Sequence, residues 1–205
     1  MYWTFYNPVN KMIYYQNYNS FLHAQNTFKA FVDAIIPRTP RLAEEYGKIQ
    51  FFGALDQATD EYMVLSLNNY YIPLAEPTAD MLDIAGEQLM LYEGNNGLPA
   101  SFPRWGKFAA LSPIDRFRIL SLLEGFAIYL VDLPMPFEDN PIFSVSIISD
   151  LICLTMMGYY SEWYGYGSTR LEEPNQRKLE FFPLSWKQVG YPGPSLGYRA
   201  LRELF

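Results

Sequence analysis

The run N-P-I-F-S-V-S-I-I-S-D-L-I-C-L-T-M-M-G, Asn140 to Gly158, decides the fold class. Asn140 before Pro141 is a helix start: the Asn side chain can accept a first-turn N–H, and proline is tolerated at the first helical position. Phe143, Ile147, Leu151 and Leu154 then recur at three- and four-residue spacing, and Val145, Ile148, Ile152 and Met156 form a second stripe. Ser146, Ser149 and Cys153 form a third line of small side chains that would let a neighbouring backbone come close. A helix apolar on most faces is buried, so this run predicts the central helix of a bundle, closing on Gly158. A bilayer span needs about 20 mostly apolar residues. Asp150 and the hydroxyl side chains argue against one here, because acids inside a membrane are costly.

The segments before it read the same way. Ser112-Pro113-Ile114-Asp115 places a serine cap, a proline and an acid at a helix start, and predicts a helix to about Val131, ended by Pro134 and Pro136. Thr78 to Glu93 predicts another, with Met81, Ala85, Leu89 and Tyr92 facing inward. Leu55, Ala58, Tyr62, Leu65 and Asn69 predict a helix over Ala54 to Asn69. Ser20 is placed as the cap of the first helix, with Phe21, Phe28, Phe31, Val32, Ile35 and Ile36 on one stripe before Pro37. Arg38 to Phe52 predicts a loop with at most a short helical turn. No stretch alternates like a strand. The expectation is an all-α, single-domain bundle of about five helices with long loops rich in proline, glycine and aromatics. Residues 1–19 form an aromatic N-terminal arm, 20–183 the helical core and 184–205 an ordered C-terminal docking tail.

With 205 residues, the chain can bury about 70% of its unfolded surface. Half the residues are apolar and 18% are charged, which is a globular composition. A net charge of -7 argues against a nucleic-acid binder, which needs clustered Lys and Arg. One cysteine, Cys153, rules out an internal disulfide and reads as a small buried apolar side chain. The opening Met1-Tyr2-Trp3-Thr4-Phe5-Tyr6 has no secretory or twin-arginine signal, so the expectation is a cytoplasmic chain.

Reactive motifs are few. The lone His23 cannot build a multi-histidine metal site, and reads as a partly exposed surface side chain. No haem or iron–sulfur motif exists. Gly193-Pro194-Ser195-Leu196-Gly197 fits G-x-S-x-G, but a proline adjoins the serine and no histidine follows. Gly165-Tyr166-Gly167 starts like a dinucleotide fingerprint, but the third glycine position is Arg170. The expectation is a chain with no catalytic residue, no metal and no cofactor of its own.

The C-terminal run Trp186 to Tyr198, W-K-Q-V-G-Y-P-G-P-S-L-G-Y, crowds prolines, glycines and aromatics together and predicts an ordered loop or extended tail. Within it, Gly190-Tyr191-Pro192-Gly193-Pro194 resembles the closing motif of the gluconate 2-dehydrogenase subunit 3 family. Ser20 to Pro37, ending Ile35-Ile36-Pro37, resembles that family's opening helix, and Met157-Gly158-Tyr159-Tyr160 its Gly-Tyr-Tyr turn. The likeness spans roughly Ser20 to Tyr198. These proteins are small accessory subunits of flavin-dependent sugar and alcohol dehydrogenases of the glucose-methanol-choline type. The resemblance implies a large flavoprotein partner holding FAD, and a cytochrome subunit as a further partner. The family's twin-arginine signal is missing, which departs from its role in escorting the large subunit across a membrane. The partner surface expected on this basis is Trp186, Gly190, Tyr191, Pro192, Gly193, Pro194 and Tyr198, with Tyr159, Tyr160 and Trp163 beside them. Interfaces favour such aromatics.

Two other readings stand beside it. Tyr159, Tyr160, Trp163, Tyr164 and Tyr166 could stack on sugar rings, making a carbohydrate-binding or other interaction module without a flavoprotein partner. Glu124 and Asp150, acids in apolar helices, could serve an enzyme, unless they cap or pair with Arg116 or Arg118.

Overall fold

The computed structural model describes residues 18–92 and 106–193, and these are helices and turns with no strand among them. The arm expected at the N-terminus falls outside the described residues up to residue 17, as do Glu93, Pro194 and Tyr198. In chain order the helices are α1 (Tyr18–Ile35), α2 (Ala43–Tyr46), α3 (Thr59–Asn68), α4 (Ala75–Tyr92), α5 (Lys107–Ala110), α6 (Pro113–Glu124), α7 (Pro141–Tyr160) and α8 (Leu184–Val189). The five longest are the five helices expected, within shifted bounds.

α1 begins before Ser20, which is therefore an internal residue and not a cap. Its stripe holds: Phe28, Phe31 and Val32 have no exposed surface. α1 packs on both α3 and α4. Between Pro40 and Phe51 the expected loop winds through short helical turns and α2.

The helix expected over Ala54 to Asn69 is broken. Ala54–Gln57 is a 3-10 turn, and Ala58 takes a left-handed conformation (φ 50, ψ 35) before α3 begins. The break rotates the helical register, so Met63, Val64 and Leu67 are buried while Leu55 and Asn69 are exposed. A long-range contact accompanies it: the Trp163 indole N–H donates to the Ala58 carbonyl at 2.8 Å.

α4 starts three residues earlier than expected, with Pro77 in its first turn. Met81, Ala85 and Leu89 are buried as predicted, but Tyr92 is exposed. α6 has the predicted cap: Ser112 Oγ accepts the Asp115 N–H at 3.2 Å. It ends at Glu124, short of Val131, because Gly125 and the positive-φ Phe126 turn the chain into a loop. Gln88 of α4 braces that loop by bonding both the N–H (2.8 Å) and the C=O (3.2 Å) of Tyr129.

α7 has its predicted cap, Asn140 Oδ1 accepting the Phe143 N–H at 3.2 Å. It is not buried all round. Ile147, Ile148, Leu151 and Thr155 face α3 and α6, while Ile142, Ser146, Ser149, Cys153, Met156 and Met157 are exposed. The small-residue line thus faces outward, and Cys153 is not a core residue. Nor does Gly158 end the helix. A Cβ there would lie 2.8 Å from Tyr62 Cδ1 and 2.9 Å from Thr59 Cγ2, so glycine lets α7 press onto α3. The helix runs two residues further, through Tyr159 and Tyr160, residues expected to form a turn.

Candidate functional site

The tail folds as a helix and its closure. Trp186 to Val189 are helical, against the expectation of a loop, because both tail prolines lie beyond them. Gly190 stops α8 in the left-handed region (φ 66, ψ 27). Its N–H reaches the Lys187 carbonyl at 3.4 Å, and the Tyr191 N–H reaches the Trp186 carbonyl at 2.9 Å. This is a Schellman motif, whose usual apolar contact is here the Trp186–Tyr191 pair, edge to face at 4.8 Å. Gly190 and Tyr191 of the family-like motif thus have a local physical reason: glycine for the positive φ, tyrosine for the ring contact.

α8 in turn closes α7. The last carbonyls of a helix lack partners inside it. Ser185 Oγ donates to the Tyr159 carbonyl at 3.2 Å, and the Trp186 indole N–H to the Tyr160 carbonyl at 2.8 Å. Phe182 packs on Trp186 at 5.7 Å, and Gly193 (φ 101) lies against Phe182. The expected partner residues therefore divide. Tyr159 and Trp163 are each 2% exposed and Trp186 5%, so their rings serve internal packing. Tyr160 and Tyr191 remain about half exposed, and Val189, Phe181 and Phe182 join them on the outside. Gly190 and Pro192 are also exposed.

Burial pushes the Tyr159 hydroxyl up to about 12, aided by nearby Tyr160 and Asp56. That hydroxyl donates to the Phe52 carbonyl at 3.0 Å. Trp163 is held edge-on by Tyr62 at 5.4 Å, with the Arg177 guanidinium over its ring. With Tyr159 and Trp163 enclosed, the five rings once grouped as a sugar-stacking platform do not share a surface.

Beside α8 lies a shallow pocket of roughly 190 Å³. Phe52, Tyr164, Phe181 and Phe182 supply its rings, with Asp56, Gln57, Leu184 and Lys187. Gly165 brings the segment bearing Phe181 close: a Cβ there would lie 2.6 Å from the Phe181 carbonyl oxygen. The Glu180 N–H bonds the Gly165 carbonyl at 2.8 Å. Asp56 is held by the Gly53 N–H (2.8 Å) and by a two-pronged pair with Arg38; the Arg38 hydrogen bond keeps its carboxyl below the usual range. Gln57 is 2% exposed, and neither Nε2 nor Oε1 completes a hydrogen bond, although its amide stands near the Tyr159 hydroxyl. A buried, unsatisfied amide costs about 1–3 kcal/mol. Composition had not marked Gln57 or the three phenylalanines, since distant segments bring them together.

The lone histidine is also placed differently from its expectation. His23 is buried and its Nε2 lies 2.8 Å from Asp83 Oδ2, with Nδ1 3.6 Å from Asp80. Asp83 additionally accepts the N–H of Gly106 (2.5 Å) and of Phe108 (2.9 Å), so it caps α5 from across the core. Burial acts to lower the imidazole's pKa, but the hydrogen bond and charge of Asp83, with Asp80 and Glu76, more than reverse this and raise it above 6.5. The pair acts as a clasp between α1, α4 and α5. Of the two acids considered for catalysis, Glu124 is exposed and Asp150 accepts the Tyr70 hydroxyl at 3.0 Å. Arg116 donates to the carbonyls of Ala30 and Ala109, and Arg118 pairs with Asp115. Among the described residues no group of three His, Cys, Asp or Glu is arranged to hold a metal ion.

Comparison of the chain with family models, curated proteins and solved structures gave no match.

Proposed function

We propose that this chain is a non-catalytic interaction subunit that binds and stabilises a large flavin-dependent dehydrogenase of the glucose-methanol-choline type, with FAD held in that partner. The partner would oxidise a sugar, sugar acid or alcohol and pass electrons onward, with a cytochrome subunit as a further member. The identity of the partner rests on the motif resemblance. The reading of the chain as an interaction subunit is supported by one observation: apolar side chains stand outward around a tail that is itself clamped. Val189 at the end of α8 and Tyr191 just beyond it stand outward, while Trp186 and Ser185 of α8 are tied to the end of α7. Rigid aromatics fixed before binding lose little entropy when a partner covers them.

Trp186 is the wrong residue to test this with, because removing it would free the Tyr160 carbonyl and loosen the tail. Val189→Ser alters an exposed side chain, and Tyr191→Ser removes a half-exposed ring that packs on Trp186 at 4.8 Å while leaving the backbone hydrogen bonds of the α8 closure in place. Central interface aromatics contribute about 2 kcal/mol or more, so this pair is expected to cut recovery of the partner at least about tenfold, with the helical circular dichroism unchanged. The assay is native purification of the tagged chain from its source, reading the flavin absorbance of any co-eluting large subunit. Undiminished recovery in the double variant refutes the tail as the interface. Recovery of a large subunit without flavin refutes the partner's identity.

A further inference from the structure

We infer that the pocket between α8 and the Ala54–Gln57 turn is a binding site for a single neutral sugar ring. The inference does not depend on a flavoprotein partner. It starts from Gln57, a side chain 2% exposed whose Oε1 has no partner and whose Nε2 has only the Tyr159 hydroxyl near it, without completing a hydrogen bond. Beyond its approach to the Tyr159 hydroxyl, the amide makes no contact that completes a hydrogen bond in the fold; leucine would fill similar space without an unmet polar group. A buried polar side chain that works against stability and lines a cavity has the character of a ligand-binding residue.

The walls specify what the amide would meet. Phe52, Tyr164, Phe181 and Phe182 line the same pocket, with Tyr164 and Phe181 edge to face at 5.3 Å. Aromatic faces carry partial negative charge and receive polarised C–H groups. A pyranose presents such C–H groups on one face and adjacent hydroxyls at its edge. Each hydroxyl both donates and accepts, so two neighbours satisfy the donor and the acceptor of one amide together. Lys187 adds a donor at the rim, while Asp56 is already engaged by Arg38 and the Gly53 N–H. A volume of roughly 190 Å³ is below that of most drug-sized pockets, and fits one ring better than an extended ligand. The ring could be a free monosaccharide or the terminal residue of a glycan; the chemistry is the same.

The test is saturation-transfer NMR on the full chain, with free glucose, galactose, mannose and N-acetylglucosamine in one arm and cellotriose and chitotriose in the other. A dozen non-hydrogen atoms at ordinary ligand efficiency correspond to about millimolar Kd. At least one sugar is expected to saturate in that range. Binding of the trisaccharides alone identifies a glycan terminus as the source; binding of free sugars identifies a small-molecule site. Gln57→Leu should weaken binding at least about tenfold while the thermal midpoint stays level or rises. Phe181→Ser, a change at a half-exposed side chain, should weaken it comparably and serves if Gln57→Leu fails to fold. Absence of transfer from every sugar in both arms overturns the inference, as does undiminished binding by a folded variant.

Discussion

Asp83→Asn tests the clasp that ties three helices together. The carboxylate's side chain is 6% exposed and receives three hydrogen bonds: from His23 Nε2 at 2.8 Å, the Gly106 N–H at 2.5 Å and the Phe108 N–H at 2.9 Å. Asparagine keeps one acceptor oxygen but turns an NH2 toward groups that themselves donate. It also removes the nearest counter-charge from the imidazolium, leaving Asp80 at 3.6 Å with a side chain 37% exposed. Breaking a buried pair from one side costs about 3–5 kcal/mol. The surviving acceptor and Asp80 recover part of that, so a loss of about 3 kcal/mol is expected near pH 6. For a domain of this size that corresponds to roughly 6–12 °C in midpoint. The pH dependence follows from the raised His23 pKa. The folded state holds its proton more tightly than the unfolded chain, so the contribution is full below about pH 6.5 and is lost as pH rises through the folded value. Urea unfolding followed by far-ultraviolet circular dichroism at pH 6 and pH 8.5 measures both effects. Wild type should lose stability over this interval and Asp83→Asn much less, so the gap narrows. A gap under about 0.5 kcal/mol at pH 6, or a wild type equally stable at both pH values, refutes the reasoning.

Three further outcomes are expected. Gly158→Ala should destabilise by about 1–3 kcal/mol through overpacking against Tyr62 and the stiff Thr59, despite alanine's better helix propensity; an alanine variant that melts higher than wild type would contradict the close α3–α7 contact. Ser112→Ala should cost about 1 kcal/mol in denaturant unfolding through loss of the α6 cap, and an unchanged midpoint would deny that cap a role. Tyr159 should ionise near 12 in the folded chain, so an alkaline absorbance titration of the Tyr159→Phe variant should lack a late step that the wild type shows. Because its folded pKa lies above the unfolded value of about 10, the accompanying stability is present below pH 10 and lost above it; a step complete by pH 10 would show that the ring is not enclosed.

The five longer helices, and the starts of α6 and α7, were legible because they rest on local chemistry. Ser112-Pro113 and Asn140-Pro141 cap helices wherever they occur, since donor and acceptor lie three residues apart. The α1 stripe was legible for the same reason, as spacing alone places its side chains on one face. The resemblance in Gly190-Tyr191 was visible too, but its structural meaning was not: a Schellman closure needs the Trp186 ring in place. α7 shows where periodicity stops. Its apolar residues outnumber those one face can bury, and only the position of α3 and α6 determines that Ile147 and Leu151 go inside and Ile142 and Met157 stay out.

By itself, then, the chain's order of residues determined an all-α fold and where α6 and α7 start, through interactions spanning three or four positions. Tertiary structure alone decided the break at Ala58, the burial of His23 on Asp83 and the placing of Gln57 and Phe181 around one pocket. Each joins groups far apart along the chain, as Trp163 with Ala58 does across 105 residues. Such pairings depend on how whole helices pack, and no local pattern encodes them.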